Sequence, residues 1–184
     1  CTSIARLLQS RASHGEPSGA DLVRQKVIFY GAGGNGSGNL PDGRSGFNYH
    51  EDNTAARTEL ALMPVEVPMI FAGGSGSDIL LGECYRDTAP DDIVRRSYEA
   101  YFRDEPSLDR PTWDQLRVLY ACRPASRSRF TTSPAGNIQL DADHRLTWSA
   151  VPNGNKAYAY VNDAGAVRAE LTELMTHLPR RRRS

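Results

Sequence analysis

KVIFYGAGGNGSGNLPDGRSGFNYHED, residues Lys26 to Asp52, decides how the rest of the chain is read. The apolar run Val27-Ile28-Phe29-Tyr30 is β-like and empties into a glycine-rich loop that carries two asparagines, Asn39 and Asn48. A helix-start signal follows at once in Asp52-Asn53-Thr54-Ala55-Ala56. A strand that ends in glycines and polar amides, backed by a helix, is how an α/β fold places ligand-binding groups at the carboxyl edge of its sheet. The loop is therefore the first place to look for function.

Toward the N-terminus, Thr2 to Leu8 predicts a short helix with Thr2 or Ser3 as N-cap and Ile4, Leu7 and Leu8 on one face. Residues 11 to 20, rich in Ser, Gly and Pro, read as a loop, and Ala20 to Val27 as a lead into the strand. Toward the C-terminus, an amphipathic helix is expected from Asp52 to about Met63, with Ala55, Ala56, Leu60 and Leu62 inward. Val67 to Phe71 reads as a second buried strand, and a helix is expected to begin near Asp78 with Ile79, Leu80 and Leu81. Two more helices are predicted from Ala89 to about Phe102 and from Pro111 to about Cys122. Beyond Pro124, short alternating segments divided by Asn, Asp and Gly turns suggest a small antiparallel β meander, followed by a helix over Ala164 to His177. The expected fold class is α/β, an open sheet with flanking helices. Residues 1–123 form its α/β portion, and 124–184 the meander and final helix of the same domain.

At 184 residues the chain fits one domain with a respectable core. Lys plus Arg balances Asp plus Glu at 22 each, so no global field points to nucleic acid or to a membrane surface. The basic run Arg180 to Arg183 reads as a solvated end. No apolar run approaches the ~20 residues of a membrane span. Cys1, Cys84 and Cys122 are odd in number and lack CxxC spacing, which fits reduced structural thiols and tilts the compartment toward the cytoplasm. Cys122, within the pattern Leu116-Val118-Leu119-Cys122, is expected in the core.

Gly31-Ala32-Gly33-Gly34-Asn35-Gly36 satisfies GxGxxG after a strand. A dinucleotide site needs a helix to begin at those glycines, and Ser-Gly-Asn-Leu-Pro-Asp-Gly-Arg cannot supply one. Gly73-Gly74-Ser75-Gly76-Ser77 lacks the last glycine of a nucleophile elbow and reads as a tight turn. The four histidines stand at no metal-ligand spacing. His14 and His177 read as surface residues, whereas His50 lies inside the key loop and is a candidate ligand contact.

Taken together, these pieces resemble the C-terminal half to two-thirds of an inosine/uridine-preferring nucleoside hydrolase. Thr2-Ser3-Ile4-Ala5 is similar to that family's Leu-Thr-Asn-Ile-Ala helix start, whose threonine carbonyl coordinates calcium. Gly33-Gly34 resembles the glycine pair that ends the next strand, and Gly38-Asn39 the Gly-Asn whose amide holds the sugar. Gly46-Phe47-Asn48 is similar to Glu-Phe-Asn, whose asparagine contacts ribose hydroxyls. Asp52-Asn53-Thr54-Ala55-Ala56 matches the Asp-Pro-Glu-Ala-Ala helix start, and Trp113-Asp114 the late His-Asp pair, whose aspartate ligates calcium. The resemblance implies a hydrolase of N-glycosidic bonds in ribonucleosides, in which Asn39, Asn48, Trp113 and His50 contact substrate and Asp114 and Thr2 help hold Ca2+. Such cleavage passes through an oxocarbenium-like transition state, and calcium can orient the ribose diol and the attacking water together.

The chain departs from the family in three places. The Asp-x-Asp-x-x-x-Asp-Asp motif that opens the calcium site and supplies the general base is missing, so both are expected upstream of Cys1, and the segment alone is expected to be inactive and marginally stable. Gly46 stands for the glutamate and Trp113 for the histidine; an indole N–H donates a hydrogen bond but is no acid near neutral pH. Trp113 could still stack on a base. The rival expectation is a non-catalytic nucleoside- or sugar-binding module derived from that fold. The expected partner is a small nucleoside or ribosyl compound, with no nucleic acid and no membrane, and a homo-oligomer is compatible with either reading.

Overall fold

The computed structural model describes residues 1–32, 43–72 and 74–177. The chain opens with α1 (Thr2–Gln9) and α2 (Gly19–Lys26), then β1 (Tyr30–Ala32), β2 (Gly43–Arg44), α3 (Phe47–Glu51), α4 (Asn53–Leu62) and β3 (Met69–Phe71). It continues through β4 (Leu80–Leu81), α5 (Ile93–Tyr101), β5 (Arg110–Pro111), α6 (Trp113–Cys122), β6 (Phe130–Thr132), β7 (Gly136–Leu140), β8 (Arg145–Ala150), β9 (Lys156–Val161) and α7 (Ala164–Thr176). Acidic or hydroxyl side chains start four of these helices by accepting orphan amide protons. Asp52 caps α4 from Ala55 N at 3.0 Å, Asp92 caps α5 from Val94 N at 2.9 Å, and Asp163 caps α7 from Ala166 N at 2.9 Å. Ser18 does the same for α2.

The fold is mixed α/β, with a mixed open sheet flanked by helices. β1, β3 and β9 run parallel, with Ile70 facing Gly31 on one side and Ala157 on the other. β9 then pairs antiparallel with β6 and with the start of β7, β7 with β8, and β8 with β2. Side chains alternate across the central strands as the pleat requires. Met69, Phe71 and Tyr158 point into one core with Leu8, Val23, Ala56 and Leu60 of α1, α2 and α4. Ile70, Ala157 and Ala159 point into the other, against Leu116 and Leu119 of α6 and Val167 and Leu171 of α7. A helical layer therefore covers each face.

Several expectations need correction. The apolar run at 27–30 is mostly not strand: Val27 ends α2, Ile28 is 92% exposed, and pairing begins only at Tyr30. Residues 19–26 are helical because Ser18 supplies a cap and Val23 a buried anchor. Leu80 and Leu81 form a strand against β5 rather than a helix, preceded by a 3₁₀ turn over Gly74–Asp78. That turn is pressed against the start of α6, where a Cβ on Gly76 would lie 2.8 Å from Trp113 N. Thr2 and Ser3 lie inside α1, whose N-cap is Cys1. The expected meander is not separate from the α/β portion: β9 lies beside β3 in the main sheet. Cys122 is exposed: at 100° per residue it falls with exposed Val118 on the side of α6 away from Leu116, Leu119 and Tyr120. Leu62 is also exposed, and the inner face of α4 takes Glu59 instead.

The corrected stripe of α6 makes a contrast in stability. Leu116→Ala should lower the unfolding free energy by about 3 kcal/mol, and Val118→Ala by less than about 0.5 kcal/mol. Urea unfolding with an unchanged m-value is the measurement.

Candidate functional site

β1 is an edge strand of the described sheet, and the helical layers of the two faces meet beside it. There α1, α3 and α4 from one face and α6 from the other enclose a cleft of about 300 Å³, the low end of the range for small-molecule sites. Its polar lining includes Thr2, Tyr30, Asn48, Glu51, Asp52, Glu59 and Arg117.

Asp52 ties the cleft floor together. Its Oδ2 accepts from the Thr2 hydroxyl at 2.6 Å and its Oδ1 from the Ala55 amide at 3.0 Å. These two bonds, the Thr2 hydroxyl first, hold its carboxyl below the ordinary range. Glu59, about two turns further along α4, is 1% exposed. Its Oε1 accepts from the Tyr49 hydroxyl at 2.7 Å, while its Oε2 is buried with no partner among the described residues. Burial raises the Glu59 pKa, against the opposing pull of the Tyr49 and Tyr30 hydroxyls. Burial, and then the charge of Glu59, also pushes the Tyr30 phenol up. From the far layer, Arg117 pairs with the Asp114 carboxylate through one terminal nitrogen, and its Nε is buried without a partner among the described residues. The Asn48 side chain stands exposed at the rim, with no hydrogen-bond partner among the described residues.

Thr2 and Asn48, far apart in sequence and both expected at the site, line this one cleft. Asp114 reaches it only through Arg117. Trp113 does not line it; the indole N–H donates to Ser77 Oγ at 3.1 Å, and the ring lies 5.8 Å from the Arg110 guanidinium. His50 also stands outside the cleft, stacked on His144 with ring centroids 4.4 Å apart. Asn39, the glycine pair Gly33-Gly34 and the run Arg180–Arg183 lie outside the described residues. Tyr30, Glu59 and Arg117 are cleft residues that the sequence did not single out. Glu59 had one signal, a carboxylate on the apolar face of α4 beside Ala55, Ala56 and Leu60.

The donors expected for calcium do not fit the ion. Asp114 is 83% exposed and engaged by a guanidinium, which repels a second cation at the same carboxylate. The Thr2 carbonyl belongs to the first turn of α1, where it serves the helix. Calcium seeks about 6–8 oxygen ligands, and among the described residues no group of three or more His, Cys, Asp or Glu side chains is placed to hold a metal.

A larger and shallower groove of about 1220 Å³ runs between α4 and the β7–β8 hairpin. At its end Lys156 is nearly buried, its Nζ donating to Asn155 Oδ1 at 3.1 Å. Exposed Leu62, Val65 and Val151 line this groove, but none of the residues expected at the site does.

Fold and cleft together define an α/β protein with a small polar site at a sheet edge. No family model, curated protein or solved structure matches the chain.

Because Glu59 is easier to ionise in the unfolded chain than in the folded one, the folded state binds more protons between the two pKa values. Stability should therefore fall as pH rises from the ordinary glutamate range through the raised folded value, and level off above it. Glu59→Gln should flatten that part of the curve, which urea unfolding between about pH 4 and 8 would show.

Proposed function

We propose that the chain is the sugar-recognition part of a nucleoside hydrolase-like protein and that its cleft takes the ribosyl group of a nucleoside. The observation that carries this reading is the convergence of Thr2 and Asn48 on one small polar cleft with Glu59 and Arg117. A sugar presents hydroxyls that both donate and accept, and the cleft offers the amide of Asn48, the carboxyl of Glu59 and the guanidinium of Arg117 to meet them. Its volume suits a single sugar ring, with the base toward the open side. Hydrolysis of the N-glycosidic bond additionally needs an activated water, and within the described residues the cleft does not fit the calcium that would supply it.

A second reading is favoured by the Asp114–Arg117 ion pair, which neutralises the one carboxylate expected on the metal. On that reading the cleft binds ribosyl compounds without cleaving them.

Titration with inosine, uridine and D-ribose, alongside a reducing-sugar assay with added calcium or chelator, separates the two. Saturable nucleoside binding is expected, weakened about tenfold in Asn48→Ala through loss of one amide contact. Ribose release that calcium restores after chelation would select the hydrolase, and binding without release the sensor. Absence of nucleoside and ribose binding would remove both.

A further inference from the structure

α5 is apolar on two sides, and within the described residues only one of them is covered. No residue of the helix is buried. Its inner side, Val94, Tyr98 and Phe102, leans on the turn Glu83–Asp87, with the Tyr98 and Tyr85 rings 4.6 Å apart. Arg95 ties the same side down by donating to the carbonyls of Arg86 and Thr88 at 2.8 and 2.7 Å. At 100° per residue, Ile93, Ser97, Ala100 and Tyr101 fall on the opposite side, where Ile93 is 78% and Tyr101 69% exposed. Between these two large residues the strip is small and flat, since Ser97 turns its hydroxyl back onto the Ile93 carbonyl at 2.7 Å. The patch continues past Tyr101. The Arg110 guanidinium lies 4.9 Å above the Tyr101 ring and 5.8 Å from the ring of Trp113, which is itself partly exposed.

Large exposed apolar side chains in one patch, with tyrosine, tryptophan and arginine together, mark a protein interface. Charge decides the partner. Asp91 stands exposed just before Ile93, and Arg110 lies beside Tyr101 at the other end, about 12 Å along the helix. Neither makes an ion pair among the described residues. A surface that joins its own copy across a two-fold axis must complement itself. This one does so when reversed: one end carries an aliphatic residue and a carboxylate, the other aromatic rings and a guanidinium. We propose that a second copy of this chain docks here, α5 packing antiparallel on its twin with the two-fold axis beside Ser97. Ile93 of each copy then lies on Tyr101 of the other, and Asp91 meets Arg110 across the interface, each contact made twice. The small side chains of Ser97 and Ala100 at the crossing let the helices approach closely. Arg96, exposed near the axis, can lay its stem on apolar surface while its head reaches solvent. One helix pair with its flanks is a small interface, so association in the micromolar range is expected. None of these residues lines the cleft, so the dimer does not depend on what the cleft binds.

The test is sedimentation equilibrium of the chain from about 1 μM to about 1 mM, a range that brackets a micromolar dissociation constant. A reversible monomer–dimer equilibrium is expected. Ile93→Ala and Tyr101→Ala should each raise the dissociation constant about 10- to 100-fold, since each contact is lost twice. Ser97→Arg puts a second arginine pair at the axis and should abolish the dimer. It sits at an exposed position where arginine is the better helix former, so the unfolding midpoint at low concentration should not fall. Asp91→Arg and Arg110→Asp should each associate poorly alone, and an equimolar mixture of the two should dimerise, because the mixed pair restores both Arg–Asp contacts. Ser97→Arg and Asp91→Arg keep the test decisive should Arg110→Asp fail to fold. A chain that stays monomeric across the range, or whose dimer survives Ser97→Arg unweakened, would overturn the proposal. So would a mixture of the two charge variants that associates no better than either alone.

Discussion

The carboxylate of Asp52 is the constraint on which the site depends. One oxygen starts α4 and the other holds the Thr2 hydroxyl at 2.6 Å, so a helix from the beginning of the chain is fixed to one fifty residues later. α3 ends at the same residue, which is its C-cap as well as the N-cap of α4. Three elements thus share a junction, and Asn48, Tyr49 and Glu59 stand at set positions from it. Tyr49 and Glu59, ten residues apart, meet at 2.7 Å because the two helices are joined at a fixed angle there. The cleft is a consequence of that junction and of the edge strand that leaves one side of it open.

The sheet makes a different demand. Its central strands come from both halves of the chain: β3 at Met69–Phe71 lies between β1 and β9, and β9 begins at Lys156. Pairs such as Ile70 with Ala157 close a loop of more than eighty residues before they contribute, which puts the loop-closure cost ahead of the reward. Asn155 assists this closure. Its side-chain amide donates to the carbonyls of Pro64 and Val67 at 3.0 Å each, while its backbone carbonyl accepts from Met69 N at 2.7 Å. A single polar residue thereby seats β9 against β3.

What could be read in the sequence follows from which forces are local. Asp52, Asp92 and Asp163 cap the helices that follow them, and those starts were legible because a cap is a property of four or five consecutive residues. The strand at 27–30 was misplaced because apolarity was taken for burial: Ile28 meets solvent in the turn between α2 and β1. Leu80-Leu81 looked like a helix start, and only its pairing with Arg110-Pro111, thirty residues away, makes it a strand. The alternation of β7 and β8 was plain. That β9 would run parallel to β3 was not, since antiparallel neighbours in sequence carry no mark of a parallel partner elsewhere. At the cleft, motif order had already drawn attention to Thr2 and Asn48, whereas the presence of Glu59 and Arg117 depends on which face of α4 and α6 the tertiary packing turns toward β1.

Arg117 shows how the cleft settles its charges. It pairs with the exposed carboxylate of Asp114, while the buried carboxyl of the cleft, Glu59, is held by tyrosine hydroxyls. The bond to Asp114 lies at the solvent end, where screening makes a pair worth little. The deeper Nε faces a medium of lower dielectric, where an acceptor is worth more and its absence costs more. Glu59 is held through Oε1 by the Tyr49 hydroxyl, and the Tyr30 hydroxyl of β1 acts on the same carboxyl. Replacing either holding partner, Asp114 or Tyr49, would leave Arg117 or Glu59 in place but its position undetermined.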